Sequence, residues 1–275
     1  MPRFIRIEDP ADPRIDGYRE VRERDLVGRQ GLFVAEGEVV LRALARSERH
    51  AAQSVLLAEK RVAALAPVLD TLDPGTPVYT APQPVLDAIV GFHIHRGVLA
   101  LGRRGEPVSA ESLLEPLGPR ALVVVLFAIG NHDNMGGLFR NAAAFGADAV
   151  LLDADCCDPL YRKAIRVSVG AALTVPFARL GRDVDAIDLL SRYDFAALAL
   201  SPAGGRRLAD VHRPARAALL LGAEGPGLPR AVLDRTRTVS IPMAGAFDSL
   251  NVATACGVAL HHLLFAAEPE IQRCS

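Results

Sequence analysis

Three loops of this 275-residue chain hold residue types and spacings that could do chemistry. The first is Asn131-His132-Asp133-Asn134, followed by Gly136-Gly137 and then by Arg140 within an otherwise apolar stretch. The second reads G-A-E-G-P-G-L-P, Gly222 to Pro229. Its three glycines let backbone approach a ligand closely, and an ordinary glycine turn does not explain the carboxylate of Glu224 set between them. The third is I-P-M-A-G-A-F-D-S-L-N-V, Ile241 to Val252. Here Ser249 and Asn251 fall at the amino end of an apolar helix, where backbone N–H groups and the helix dipole favour negative charge. Each loop alone has a plainer reading, with Ser249 a simple N-cap. No G-x-G-x-x-G is present, and no Lys-Ser/Thr follows the glycines of the first loop, which argues against a dinucleotide enzyme or a P-loop NTPase.

The elements that must position these loops are legible from hydrophobic patterning. Leu122 to Ala128 is a continuous apolar run, as expected of a strand buried on both faces of a parallel sheet. After the polar Asn131–Gly137 turn, Leu138, Phe139, Ala142, Ala143 and Phe145 form a helical stripe that Gly146 stops. Strand, turn and helix in that order put polar groups at the carboxyl end of a sheet, where α/β proteins bind ligands. Further strands are expected at 149–152, 173–177, 195–200, 217–221 and 238–241, with helices at 158–169, 184–193 and 229–233 between them. The final helix, from Ser249 to about Ala266, is apolar on nearly every face, which implies burial in a core or a subunit interface.

Upstream, short strands alternate with helices from Gly31 to Leu101, giving a smaller α/β layer domain. A charged, sign-balanced helix is expected over roughly Asp16 to Leu26. Arg103 to Arg120, rich in glycine and proline with room for one short helix between them, reads as a linker. The expected organisation is therefore an N-terminal domain over 1–106, a linker over 107–119 and a C-terminal domain over 120–275.

Composition removes several classes. Net charge is −1 and the pI is near 6.7, so bulk electrostatics do not argue for nucleic acid. All but Lys60 and Lys163 of the 31 basic residues are arginine, whose planar fork suits phosphates and bases. Cys156, Cys157, Cys256 and Cys274 form no C-x-x-C pair or disulfide framework, and the histidines lack a ligand spacing, so no metal is expected. Apolar runs fall short of the roughly 18–20 residues that span a bilayer. With no apolar signal core at the start, a soluble cytoplasmic protein is expected.

In order and content the three loops resemble the signature motifs of the SpoU/TrmH family of RNA ribose methyltransferases, within the SPOUT superfamily. Asn134-Met135-Gly136, Arg140, Ala142 and Phe145-Gly146 match the first motif; Leu221 to Leu228 match the second; Ile241 to Val252 match the third at every specified position. His132 departs from the proline usual before the first motif's asparagine. The resemblance implies a C-terminal SPOUT domain, an α/β trefoil-knotted parallel-sheet fold, preceded by a smaller ribosomal-protein-like α/β domain that binds substrate RNA. It implies S-adenosylmethionine as cofactor, held by Leu200, Gly222, Glu224, Gly225, Ile241, Met243 and Leu250. It implies methyl transfer to a ribose 2′-hydroxyl of rRNA or tRNA by Asn134, Arg140, Glu224, Ser249 and Asn251. Arg140 stabilises charge and clamps phosphate, since arginine stays protonated, and Glu224 fixes Arg140 or Asn134. A homodimer through the last helix is implied, with Leu260 and Leu263 in the interface. Arg22, Arg24, Arg29 and Arg166 are candidates to touch RNA. Two other readings stay open: an inactive RNA- or cofactor-binding module of the same fold, and a different α/β nucleotide-binding enzyme.

Overall fold

The computed structural model describes residues 3–19, 30–91, 93–245 and 249–265. The chain divides into two compact units, Met1–Glu106 with Asp158–Thr174, and Pro107–Cys157 with Val175–Ser275.

The first unit opens with β1 (Arg3–Arg6) and a 3-10 turn at Pro13–Tyr18, continues through β2 (Leu32–Glu36), α1 (Glu38–Ala45), β3 (Ala51–Ala58), α2 (Val62–Leu69), β4 (Pro77–Ala81) and α3 (Gln83–Val90), and reaches β5 (Val98–Arg103). These strands form a mixed sheet in the order β1-β4-β3-β5-β2, with β5 antiparallel to both neighbours. Ile7, Ile15, Leu56, Leu86, Ile89 and Leu99 share one core cluster with Tyr18. The Tyr18 hydroxyl is paired with Ser54 Oγ at 2.7 Å, so a buried polar group is satisfied. The strand β1 has no counterpart in the sequence reading. The charged helix expected from Asp16 to Leu26 falls mostly outside the described residues.

The second unit begins with α4 (Ala110–Leu114), β6 (Ala121–Leu126), α5 (His132–Ala144) and β7 (Ala149–Leu152). Asp158–Thr174, with α6 (Arg162–Val167), then joins the first unit. Arg162 reaches Glu36 there at 2.7 Å, and Ser47 Oγ donates to the Leu173 carbonyl at 2.8 Å. The second unit resumes with β8 (Phe177–Arg179), α7 (Ala186–Arg192), β9 (Ala196–Leu200), β10 (Arg206–Arg207), β11 (Arg216–Leu221), α8 (Arg230–Leu233), β12 (Arg237–Ser240) and α9 (Val252–Phe265).

Its seven strands run in the order β10-β12-β9-β11-β6-β7-β8, every pairing parallel. All six residues of β6 are buried, as a central strand covered on both faces requires. Val123, Val125, Leu151 and Leu220 pack with Leu114, Leu189 and Leu190 in one core cluster. The helices α5 and α9 lie against one another.

Three local readings are corrected. The strand expected at 173–177 starts instead at Phe177, because Ala171–Leu173 close a 3-10 turn after the left-handed Gly170. The helix α5 starts at His132, capped by the Asn131 side chain, so Gly136 and Gly137 are helical rather than part of a turn. A Cβ at Gly137 would come within 2.7 Å of the Ala253 Cβ, so glycine here allows close approach of α5 to α9. Leu260 and Leu263, placed at a subunit interface by the sequence reading, are fully buried within this chain. The exposed large apolar residues of α9 are Val258 and Phe265.

Candidate active site

Because β9, β11, β12 and β6 are parallel neighbours, their carboxyl ends meet at one edge of the sheet, and the loops that leave them build the site. Leu200, Leu221 and the segments after β11 and β12 surround a cleft of about 670 Å³. The cleft is lined by all seven residues expected at the cofactor: Leu200, Gly222, Glu224, Gly225, Ile241, Met243 and Leu250. Gly222 needs its missing side chain, because a Cβ there would sit 2.2 Å from the Gly227 backbone, where the loop folds back on itself. Gly225 and Gly227 take φ of 85° and 69°, the left-handed region that glycine enters without strain.

The walls of this cleft are apolar at Leu200, Leu221, Ile241, Leu250 and Val252, and Glu224 is its one ionisable side chain among the described residues. No lysine or arginine lines it there, so nothing on its walls would neutralise a polyphosphate. An adenosine carrying a positive sulfonium fits such walls, with apolar side chains for the base and a carboxylate for the charge.

One side chain ties the three loops together. Asn251 caps α9, its Oδ1 accepting from Ala253 N at 3.0 Å and Thr254 N at 3.2 Å. Those backbone donors fix the amide orientation, so Nδ2 points its hydrogens away from the helix. Nδ2 donates to Asn134 Oδ1 at 2.8 Å and to Glu224 Oε1 at 2.9 Å. Asn251 is thus a cap of α9, and Glu224 is held by Asn251 rather than by Arg140 or Asn134. With both donors and both acceptors engaged, Asn251 braces the site. Asn134 is buried on the first turn of α5, while Ser249 lines the cleft.

Arg140 is not bonded to this set within one chain. It lies on the exposed side of α5, and no described residue accepts from its guanidinium. Among the RNA candidates, Arg166 is exposed on the last turn of α6. Arg22, Arg24 and Arg29 lie outside the described residues.

A feature absent from the sequence reading is a smaller cavity of about 240 Å³ beside the cleft, lined by Ala128, Ile129, Gly130, Asn131, Asn134, Ala223 and Glu224. Ala128 adopts φ 52°, uncommon for a residue with a side chain, and such strain gathers at functional sites. Nothing in a run of apolar letters marks that residue.

Fold and site define an α/β protein that works at the carboxyl edge of an all-parallel sheet. Residues 121–261 match the SpoU rRNA Methylase family, and the chain belongs to that family. It is 39% identical over 263 residues to an uncharacterized tRNA/rRNA methyltransferase of Mycobacterium bovis, covering 92% of this chain and 89% of the relative. To the 23S rRNA (guanosine-2'-O-)-methyltransferase RlmB of Salmonella typhi it is 28% identical over 221 residues, 79% and 91% of the two chains. Among solved structures, the AdoMet-bound rRNA methyltransferase of Sinorhizobium meliloti shares the fold with a TM-score of 0.78 at 21% identity, over 97% of this chain and 99% of that one.

Proposed function

We propose that this protein transfers a methyl group from S-adenosylmethionine to a ribose 2′-hydroxyl of rRNA or tRNA. The observation that carries the reading is the Asn251 amide, which joins Asn134 to Glu224 where the glycine-lined cleft opens. The names of the relatives support it. The Sinorhizobium meliloti structure is AdoMet-bound, and the Salmonella typhi relative is a guanosine-2'-O-methyltransferase.

When bound, the cofactor supplies an electrophilic methyl on a sulfonium. The chain must do the rest: exclude water, aim the hydroxyl in line with the methyl, and favour loss of its proton. Leu200, Gly222, Gly225, Ile241, Met243 and Leu250 hold the donor, and Glu224 offers charge complementarity to it. Asn134 and Ser249 supply polar contacts on the acceptor side, and Asn251 holds the frame. Arg140 stabilises the developing oxyanion or the neighbouring phosphate, and does so in an assembled homodimer, since within one chain it stands free of the set. In this reading the sheet edge closes as a trefoil knot, the exposed apolar residues of α9 meet a second copy, the first unit binds RNA, and the protein works in the cytoplasm.

Calorimetry with S-adenosylmethionine against ATP and NAD tests the donor. Ribose-methylation mapping of total RNA from a strain lacking the gene tests the reaction. Binding of S-adenosylmethionine alone, with one ribose methylation lost in the deletion strain, is expected; ATP or NAD binding, or an unchanged methylation map, rejects the proposal.

A further inference from the structure

Leaving β6, the chain runs through Phe127, Ala128, Ile129 and Gly130, and the last three wall the smaller cavity beside Asn134 and Glu224. The positive φ of Ala128 is a conformation that L side chains rarely adopt, and it persists only where surroundings impose it. The surroundings that impose it are the loop after β7. Asp153 Oδ2 accepts from Ala128 N at 2.9 Å. Cys156 Sγ accepts from Ile129 N at 3.3 Å and donates to the Leu126 carbonyl at 3.4 Å. Cys157 N donates to the Ile129 carbonyl at 2.8 Å.

That loop is itself anchored. Asp153 Oδ1 accepts from Asp155 N and Cys156 N at 3.0 and 2.9 Å. The Arg179 guanidinium donates to the carbonyls of Asp153, Cys156 and Cys157 at 3.0, 2.8 and 3.2 Å. Cys156 is buried, and burial pushes its thiol up to about 12, so it stays an S–H that can both donate and accept. None of Ala128, Ile129, Asp153 and Cys156 lines the larger cleft.

We infer that Asp153 and Cys156 are positioning residues for the methyl acceptor, fixing Ala128–Gly130 as the wall against which the target ribonucleotide is seated beside Asn134. They have no part in donor binding. This inference rests on the proposed methyl transfer.

The test uses Asp153→Asn, which replaces one accepting oxygen by a donor, Cys156→Ala, which deletes both thiol contacts, and Cys156→Ser, which keeps a group able to donate and accept. Donor affinity is read by calorimetry with S-adenosylmethionine. Acceptor kinetics are read as tritium transfer from methyl-labelled S-adenosylmethionine to total RNA from a strain lacking the gene. Asp153→Asn and Cys156→Ala are expected to keep the donor Kd within about twofold while kcat/KM for RNA falls at least about tenfold, as misplacement by a fraction of an ångström predicts. Cys156→Ser is expected to recover most of the loss. Wild-type RNA kinetics in the folded variants, or donor affinity falling in step with RNA kinetics, would overturn the inference. Should Cys156→Ala fail to fold, Asp153→Asn decides alone. A wild-type protein that neither binds S-adenosylmethionine nor labels RNA overturns the reaction itself, and the inference with it.

Discussion

Asn251 spends every hydrogen-bonding position it has: two acceptors on the first turn of α9 and two donors on Asn134 and Glu224. An Asn251→Asp variant separates these duties. The carboxylate still accepts from Ala253 N and Thr254 N, and it suits the helix dipole, so the cap survives. Both donors are lost and a second negative charge faces Glu224, so Asn134 and Glu224 are no longer drawn together. We expect the melting temperature to stay within a few degrees, as a change below about 1 kcal/mol allows, while turnover falls at least about tenfold. Equal turnover in the folded variant would strip Asn251 of its bracing role. Arg140 makes the opposite case, since no described residue holds it. Arg140→Ala should leave folding and donor binding intact and cut turnover by on the order of 10²–10³, the cost of one oxyanion donor. Full activity there would leave the exposed guanidinium with no role in the reaction.

At the scale of elements, α9 carries two separable apolar surfaces. Cys256, Ala259, Leu260 and Leu263 are buried in the chain's own core, whereas Val258 and Phe265 are 43% and 67% exposed. A charge at Leu260 would therefore unfold the second unit rather than split a dimer, because a buried unpaired charge is among the costliest single changes. Val258→Glu is the cleaner probe of the proposed homodimer. We expect the wild-type chain to sediment as a dimer and the folded variant as a monomer, whereas a monomeric wild type would remove the homodimer and an unshifted variant would take α9 out of its interface. The distinction was invisible in the letters. A helix apolar on nearly every face announces burial without saying which residues face which partner. The same limit explains the start of α5: Gly136-Gly137 reads as a turn, yet α9 packs close enough that only glycine fits at Gly137. Where a signal is strictly local, as in the apolar β6 or the glycines after β11, the sequence reading and the structure agree closely, although the strand expected to run to Ala128 ends at Leu126 and Ala128 is exposed with a left-handed backbone. Where packing from another element decides, as at β10, the strained Ala128 or the latch of Asp153 and Cys156, no local pattern marks it.

On the scale of the whole molecule, the chain's linear order and its compact units differ. The first unit takes Asp158–Thr174 out of the middle of the second, and that segment buries Ala164, Ile165 and Leu173 among the first unit's residues. Arg104 pairs there with Asp158, and Arg162 with Glu36. A reading in sequence order has no means of seeing this, because strand and helix periodicity carries no information about which unit an element joins. The consequence is testable by truncation. A fragment of residues 107–275 strips Asp158–Thr174 of its partners and exposes several apolar side chains, each worth roughly 1.5–3 kcal/mol when buried. We expect that fragment to aggregate or to melt well below the full chain. Replacing 158–174 in the fragment by a short Gly/Ser linker should restore a cooperative melt and S-adenosylmethionine binding by calorimetry, because the cleft and its bracing amide lie wholly within the second unit. If the unmodified fragment is as stable as the linker version, the 158–174 segment does not depend on the first unit for its burial.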